Sequence, residues 1–220
     1  MLVNCLIRHC VIFVRQRAKV VQQLMGSLPD FRTVNCRPFT HSGVDYAGPF
    51  QIRFAPGRGQ RSYKGYVALF VCCVTRAIHL ELVSDYTSQS FLLAYKRFIA
   101  RRRIPAHIYS DNGTTFQGAD RILRENAAQL RRDPNLVNFL SVEGTTWHFI
   151  PPAASNFGGP WEAGVKHLKH HLRRGVGSHT LTFEEFFTTL SQVEACLSSR
   201  PIGTHSEDPN YSSYITPGHF

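Results

Sequence analysis

The sequence predicts an α/β domain in which a mixed β-sheet is flanked by helices. Three observations predict this fold. Runs of apolar or alternating residues, which are typical of strands, come early in the chain, and apolar stripes at helical spacing come late. In the middle of the chain, short runs with the pattern of strands alternate with segments that have the pattern of helices. This order of three strands, helix, strand, helix, strand and two final helices is typical of a mixed sheet covered by helices.

Five segments have the patterns of strands. The third alternates apolar residues with His79 and Glu81, which predicts an antiparallel strand with one exposed face. The fourth ends at the turn sequence Asp111-Asn112-Gly113. The predicted strands cover residues 44–54, 64–75, 76–83, 107–110 and 145–150.

Four segments predict helices, over residues 88–101, 118–132, 160–175 and 183–199. The second is polar, and the last begins with a capping box formed by Thr182 and Glu185. The helix over 160–175 carries an apolar stripe that we expect to pack on the sheet, namely Trp161, Val165, Leu168 and Leu172. The stripe of the last helix comprises Phe183, Phe186, Phe187, Leu190, Val193 and Leu197.

Composition excludes several classes of protein. The chain has 220 residues, 43% of them hydrophobic, so it can bury a substantial core and is unlike a disordered protein. No apolar run approaches the roughly 20 residues of a membrane span, and the start lacks the apolar core of a signal peptide. The six cysteines are scattered rather than arranged as a disulfide framework. We therefore expect an intracellular protein that is neither secreted nor membrane-bound.

The charge of the chain favours a polyanionic partner. There are 25 Lys and Arg against 15 Asp and Glu, which gives a formal net charge of +10. Such an excess favours nucleic acid as a partner. Residues 1–40 are the most basic part, and we interpret them as the end of an upstream module followed by a linker after Gly26-Ser27-Leu28-Pro29.

Three carboxylates are candidates for a metal site. Asp45 lies within the first predicted strand, with only Gly43 and Ala47 as same-face neighbours. Asp111 follows the fourth strand, at the edge where open sheets place ligands. Glu162 begins the helix over 160–175. Two Asp and one Glu suit Mg²⁺ or Mn²⁺, although Asp111 is also typical of a turn and Glu162 of a helix N-terminus.

Glu162 also begins a basic stripe, with Lys166, Lys169 and Arg173 at the same spacing as the apolar stripe but about 100° around the helix. Such a stripe could hold a phosphodiester backbone beside a metal centre. A solvated charged face is the alternative.

Four segments of the chain resemble the integrase core of Pao/BEL-type LTR retrotransposons. They are FTHSGVDYAGPF (39–50), IYSDNGTTF (108–116), WHFIPPAASNFGGPWEAGVKHLK (147–169) and SSRPIG with ITPGHF (198–220), in the same order as in the family. The resemblance covers about residues 25–220. It implies a ribonuclease H-like fold with a five-stranded mixed sheet, and a DDE triad that holds two divalent metals, as in retroviral integrases.

The resemblance carries functional residues over to this sequence. The triad falls on Asp45, Asp111 and Glu162, which would be the catalytic residues and the ligands of two Mg²⁺ or Mn²⁺ ions. The stretch between the last two is longer than in retroviral members, and we interpret residues 121–140 as an insertion. Gly158-Gly159 would let the loop before Glu162 move. The expected DNA contacts are Lys166, Lys169, Arg173, Asn112, Ser155 and Asn156, the last three being equally typical of turns and caps.

Relatives carry a His2Cys2 zinc module before the linker, and this chain departs from it. Cys10 fits the first cysteine, but Phe13 stands at the second and the histidine pair is absent. Because structural zinc takes four ligands, we predict no zinc. We interpret residues 1–38 as a remnant of the zinc-binding module plus linker, and residues 39–220 as the catalytic core, truncated at its C-terminal end.

The predicted function is DNA integration by metal-dependent polynucleotidyl transfer, with 3′-end processing and strand transfer into target DNA. We expect a homo-oligomer that binds element ends and target DNA, in the nucleus when it acts on chromosomal DNA. One alternative is a catalytically inactive DNA-binding remnant, and another is a ribonuclease H-like nuclease. The basic run Arg101-Arg102-Arg103 predicts a solvated helix end, and a surface for target DNA or for tetramer contacts is the less favoured alternative. The sequence assigns no role to His79.

Overall fold

The computed structural model describes residues 10–11, 27–57, 59–110, 134–135, 144–149, 155–204 and 213–220. The predicted polar helix over residues 118–132 lies outside them, as do Asp111 and Asn112. None of the helices within the described ranges is long and apolar enough to span a membrane.

A mixed sheet forms the centre of the fold. Its strands lie in the order β3-β2-β1-β4-β5, and a sixth short strand, β6, pairs with the far end of β1. β2 is antiparallel to both β1 and β3, whereas β4 runs parallel to β1 and to β5. The predicted mixed sheet is confirmed. The strands are β1 (His41–Arg53), β2 (Ser62–Cys72), β3 (Ile78–Val83), β4 (His107–Ser110), β5 (Thr146–Phe149) and β6 (Leu181–Thr182).

Helices cover both faces of this sheet. The short helix α1 (Asp30–Thr33) precedes β1, α2 (Ser88–Arg102) follows β3, and α3 (Ser155–Gly175) and α4 (Phe183–Ser198) come after β5. A small hairpin of β7 (Gly203–Thr204) and β8 (Tyr214–Ile215), then a 3₁₀ turn at Pro217–His219, complete the described chain.

The two faces have separate cores. On one face α2 buries Phe91, Tyr95 and Phe98, and the ring of Phe98 stacks on Phe70 of β2 at 4.2 Å. On the other face, α3 buries the apolar stripe that the sequence predicts, and α4 adds Phe186, Leu190 and Val193. The capping box of α4 is confirmed. Phe183 is an exception, because it lies outside this core and is exposed.

Helix α3 begins five residues earlier than the sequence predicts, at Ser155 rather than Pro160. Gly158-Gly159-Pro160 is a composition that disfavours a helix interior. Tertiary packing overrides this preference, since Gly158 and Pro160 are buried and Trp161 is fully enclosed. The expectation of a movable loop before Glu162 is therefore wrong, because the two glycines are part of the helix.

The predicted exposed face of β3 is also wrong. All six residues of β3 are buried, including His79 and Glu81. Helix α2 covers this face and neutralises it, since Arg97 Nε and Arg101 Nη1 pair with the two oxygens of Glu81 at 2.5 and 3.2 Å. His79 Nε2 lies 3.0 Å from Glu81 Oε1.

The same network corrects the interpretation of the arginine run. Arg102 Nη2 donates to Glu194 Oε1 of α4 at 2.9 Å, and Glu194 Oε2 accepts from the backbone amide of Leu80 at 2.8 Å. Arg101 and Arg102 therefore connect α2 to β3 and α4 by ion pairs, although Arg101 and Arg103 remain exposed to solvent.

Candidate active site

Asp45 lies in the middle of β1, the central strand, where it is the Cα partner of Leu69 in β2. It is partly buried, and the backbone amide of Tyr46 donates a hydrogen bond of 2.7 Å to its Oδ1. Since side chains alternate between the two faces of a strand, Asp45 shares the face of Gly43 and Ala47. This is the face that α3 covers, because Ala47 belongs to the core formed with that helix.

Gly43 allows α3 to lie directly on β1. A β-carbon built on Gly43 would fall 2.0 Å from Cε3 of Trp161, closer than any real contact. Trp161 is 0% exposed, so its indole fills the space over the glycine. The chain is thereby fixed at the residue before Glu162, beside the position of Asp45 on β1.

Glu162 lies on the exposed side of α3. A β-carbon on Gly158 would fall 2.8 Å from Glu162 Oε1, so the carboxylate lies against the backbone of the preceding helical turn. It is the eighth residue of α3, about two turns from the N-terminus. The helix-dipole explanation for this Glu therefore does not apply.

The third predicted carboxylate follows β4. Ser110, the last residue of β4, is the Cα partner of Val44 in the parallel pair with β1. Asp111 is the next residue of the chain and lies outside the described residues, so its place in the site stays a prediction. The backbone of Ser155 and Asn156 is the first turn of α3.

The basic stripe of α3 is exposed along its length. Lys166, Lys169 and Arg173 are all exposed, whereas Leu168 and Leu172 are buried against the sheet. Lys169 and Arg173 also line a cleft of about 450 Å³ whose opposite wall includes residues 48–51 of β1. The predicted arrangement of two stripes is confirmed. That the basic one binds DNA stays a prediction.

Three histidines and a tyrosine form a cluster on the same face of the sheet as Asp45. His107 Nδ1 and His148 Nε2 are 2.9 Å apart, and His41 Nδ1 lies 3.1 Å from the hydroxyl of Tyr109. The rings of His41 and His107 stack at 4.8 Å, and those of Tyr109 and His148 at 4.9 Å. Sequence reasoning missed this cluster, although the even spacing of His41 from Asp45 places both on one face.

The environment of this cluster favours the neutral form of the His41 and His148 imidazoles. Burial, then the charges of His107 and His148, lower the pKa of His41. Burial and His107 also lower the pKa of His148. Burial raises the pKa of Tyr109 to about 12. These three side chains therefore offer hydrogen-bonding groups whose neutral forms are favoured, on the face of the sheet that carries Asp45.

Within the described ranges, no three His, Cys, Asp or Glu side chains are grouped so that they could hold a metal ion. Asp45 and Glu162 supply two of the three predicted carboxylates on the α3 side of the sheet.

The sequence comparisons give no relatives. No protein-family model matches this chain, and no curated protein matches it. The structural comparison does find solved structures with a similar fold. The first is a chain in the cryo-EM structure of the simian T-cell lymphotropic virus intasome in complex with PP2A regulatory subunit B56 gamma, with a TM-score of 0.57 and 12% identity. The match covers 83% of this chain but only 54%, about half, of that one.

The HTLV-2 integrase catalytic core domain in complex with magnesium, in its trimeric form, is also similar. Its TM-score is 0.53 with 13% identity, and the match covers 83% of this chain and 96% of that core. The fold is that of a retroviral integrase catalytic core. At these identities the integrase-core similarity extends to the fold alone.

Proposed function

We propose that this chain is an integrase catalytic core that performs metal-dependent polynucleotidyl transfer on DNA. The observation that carries the proposal is the packing of Trp161 over Gly43. It joins α3, which bears Glu162 and the basic stripe, to the strand that bears Asp45, within a fold shared with integrase cores.

The donor set fits divalent magnesium or manganese. Asp45, Asp111 and Glu162 supply only carboxylate oxygens, which these hard cations prefer. The pKa values of His41 and His148, on the same face of the sheet, are lowered, which disfavours a positive charge that would repel a cation. The HTLV-2 core, which has the same fold, was solved with magnesium. Two bound ions would activate an attacking water or 3′-hydroxyl and stabilise the leaving oxygen of the displacement.

The side chains of α3 would position the DNA. Lys166, Lys169 and Arg173 form the exposed row that begins at Glu162, so a phosphodiester backbone bound along it would pass the carboxylates. Replacement of Lys166 and Lys169 by Gln should weaken DNA binding about tenfold and reduce its salt dependence. Arg61→Gln, in the exposed turn between β1 and β2, is the matched control.

The proposal also covers the origin of this chain, its oligomeric state and its location in the cell. The four segments that resemble Pao/BEL elements support an LTR retrotransposon origin, with element ends and target DNA as substrates. The HTLV-2 core was solved in a trimeric form, and we propose that this chain also forms a homo-oligomer. Its action on chromosomal DNA would take place in the nucleus.

A disintegration assay, which reverses strand transfer, tests the proposal with Mn²⁺ and a branched DNA substrate. The wild-type protein should release the target strand. Asp45→Asn, Asp111→Asn and Glu162→Gln should each reduce the rate at least 100-fold, because each removes a carboxylate that would hold metal. Glu184→Gln, an exposed acid on α4, should retain activity.

Other results would assign a different function. Full activity of Asp111→Asn would overturn the triad. Salt-sensitive DNA binding without any cleavage would identify a DNA-binding remnant. Cleavage of an RNA–DNA hybrid in place of the branched DNA would identify a ribonuclease.

A further inference from the structure

A second basic site lies on the flank of α3 away from Glu162. It is a pocket of about 290 Å³, several times the roughly 30 Å³ that one water molecule occupies in the liquid. Five residues of α3 form one wall, namely Gly159, Pro160, Ala163, Gly164 and His167. Val71 and Ile78 contribute apolar surface, and the charged lining consists of Arg32, Arg76 and Arg200.

The three arginines come from distant parts of the chain. Arg32 is in α1, Arg76 is in the turn between β2 and β3, and Arg200 follows α4. Arg200 Nη2 donates to the backbone carbonyl of Arg76 at 3.2 Å, and Arg32 Nη2 lies 3.6 Å from the position of a β-carbon on Gly159. The fold therefore brings three guanidinium groups to one pocket.

The described lining of the pocket contributes no negative charge to these groups, since none of its ten residues is acidic. Burial, and then the charges of Arg32 and Arg200, lower the pKa of Arg76. Arg32 Nε is buried and has no hydrogen-bond partner among the residues that the structure describes. Because buried charges in proteins are normally paired, three arginines with no acidic neighbour in the lining are the composition of an anion-binding site.

The pocket is separate from the predicted DNA stripe. At 3.6 residues per turn, Pro160, Ala163, Gly164 and His167 centre about 140° around α3 from the row of Glu162, Lys166 and Lys169, and only Gly159, which has no side chain, lies nearer to that row. Trp161 and Leu168 face the sheet between the two rows. Changes in the pocket therefore leave the carboxylates and the stripe in place.

We propose that this pocket binds a phosphate group of a nucleic-acid strand, so that DNA contacts both flanks of α3. Guanidinium groups bind phosphate oxygens in a planar, two-pronged geometry, which suits three converging arginines. The exposed His167 and Arg200 leave the pocket open to a phosphate that is part of a chain. The identification of the ligand as DNA rests on the proposed function, whereas the phosphate site does not.

Thermal unfolding tests the phosphate site. Saturating inorganic phosphate should raise the Tm of the wild-type protein by about 2–4 °C above sodium chloride of equal ionic strength. The double variant Arg76→Gln/Arg200→Gln should lose this increase, and Arg61→Gln should keep it. Each protein is compared with itself in chloride, because Arg200→Gln also removes the hydrogen bond to the carbonyl of Arg76 and can change the basal Tm. An equal response to phosphate and chloride, or a phosphate response that survives in the double variant, would overturn the site.

DNA binding tests the source of the phosphate. The affinity of the double variant for a short duplex should fall, and the slope of log K against log salt should decrease by about 0.9 for each DNA phosphate that the variant no longer binds. Unchanged DNA affinity together with an abolished phosphate response would contradict binding of a nucleic-acid strand. The pocket would then be a site for free phosphate. Asp45→Asn should keep the phosphate response, so a failure of the proposed chemistry is distinguishable from a failure of this site.

Discussion

The indole of Trp161 occupies the space that a side chain at Gly43 would need, with Cε3 2.0 Å from the position of a β-carbon on that glycine. Trp161 is fully buried, so the ring has no room to move aside. This contact holds α3 on β1 next to Asp45. It connects the packing of the core with the position of Glu162.

Gly43→Ala should therefore damage both the fold and the proposed site. We expect a loss of about 2–3 kcal/mol in the free energy of unfolding, the upper part of the usual range for an overpacked core. The disintegration rate should fall more than tenfold, because α3 must shift away from Asp45. Urea unfolding measures the first effect. Gly175→Ala, where a β-carbon meets nothing within 4 Å, is the control, and a fully stable Gly43→Ala protein would contradict the contact.

The His79 network predicts a dependence of stability on pH. Burial alone would lower the pKa of His79, but Glu194 and Glu81 raise it above its ordinary value of 6.5. A raised pKa in the folded state stabilises the protein below pH 6.5, and this contribution is lost as the pH rises through the folded pKa. The difference in urea midpoint between the wild type and His79→Gln should thus shrink as the pH rises above 6.5. A difference that grows with pH would contradict the ion pairs.

His41 should show the opposite trend. Its pKa is lowered by burial and then by the neighbouring histidines, so the unfolded chain takes up a proton first as the pH falls below 6.5. Relative to His41→Gln, the wild type should therefore lose stability on acidification. The same series of urea midpoints against pH measures this loss. If the differences for His79→Gln and His41→Gln changed with pH in the same direction, the opposite pKa shifts of the two histidines would be contradicted.

The buried carboxylate of Glu81 predicts a cost for removing its arginine partner. Glu81 is 0% exposed, whereas the Arg97 side chain is 41% exposed. Arg97→Gln should destabilise the fold by about 2 kcal/mol. This is less than the 3–5 kcal/mol of a fully buried pair, because water can partly replace the guanidinium. Arg103→Gln, at an exposed helix end, should leave thermal unfolding nearly unchanged, and equal effects of the two substitutions would argue against the pair.

The sequence predicts what depends on local patterns. The five main strands lie within a few residues of their predicted bounds, and the face shared by Asp45 and Gly43 follows from the alternation of a strand. The apolar and basic rows of α3 also follow from helical spacing, since burial separates Leu168 from Lys169 as expected.

What the sequence could not predict depends on partners that are distant in the chain. His79 and Glu81 look exposed because they are polar, and their burial depends on Arg97 and Arg101 of the next helix. The arginines of the phosphate pocket likewise belong to three separate segments. The early start of α3 has the same cause, because packing in three dimensions outweighs the local preference of Gly158-Gly159-Pro160.

The most direct test of the proposed site is a crystal structure of the protein with Mn²⁺, located by its anomalous scattering. We predict a peak within about 2.0–2.6 Å of an Asp45 carboxylate oxygen, with Asp111 or Glu162 as a second ligand. The peak should disappear in Asp45→Asn crystals prepared in the same way. Mn²⁺ bound elsewhere, with Asp45 uncoordinated at saturating metal, would contradict the assignment of this chain as a metal-dependent integrase core.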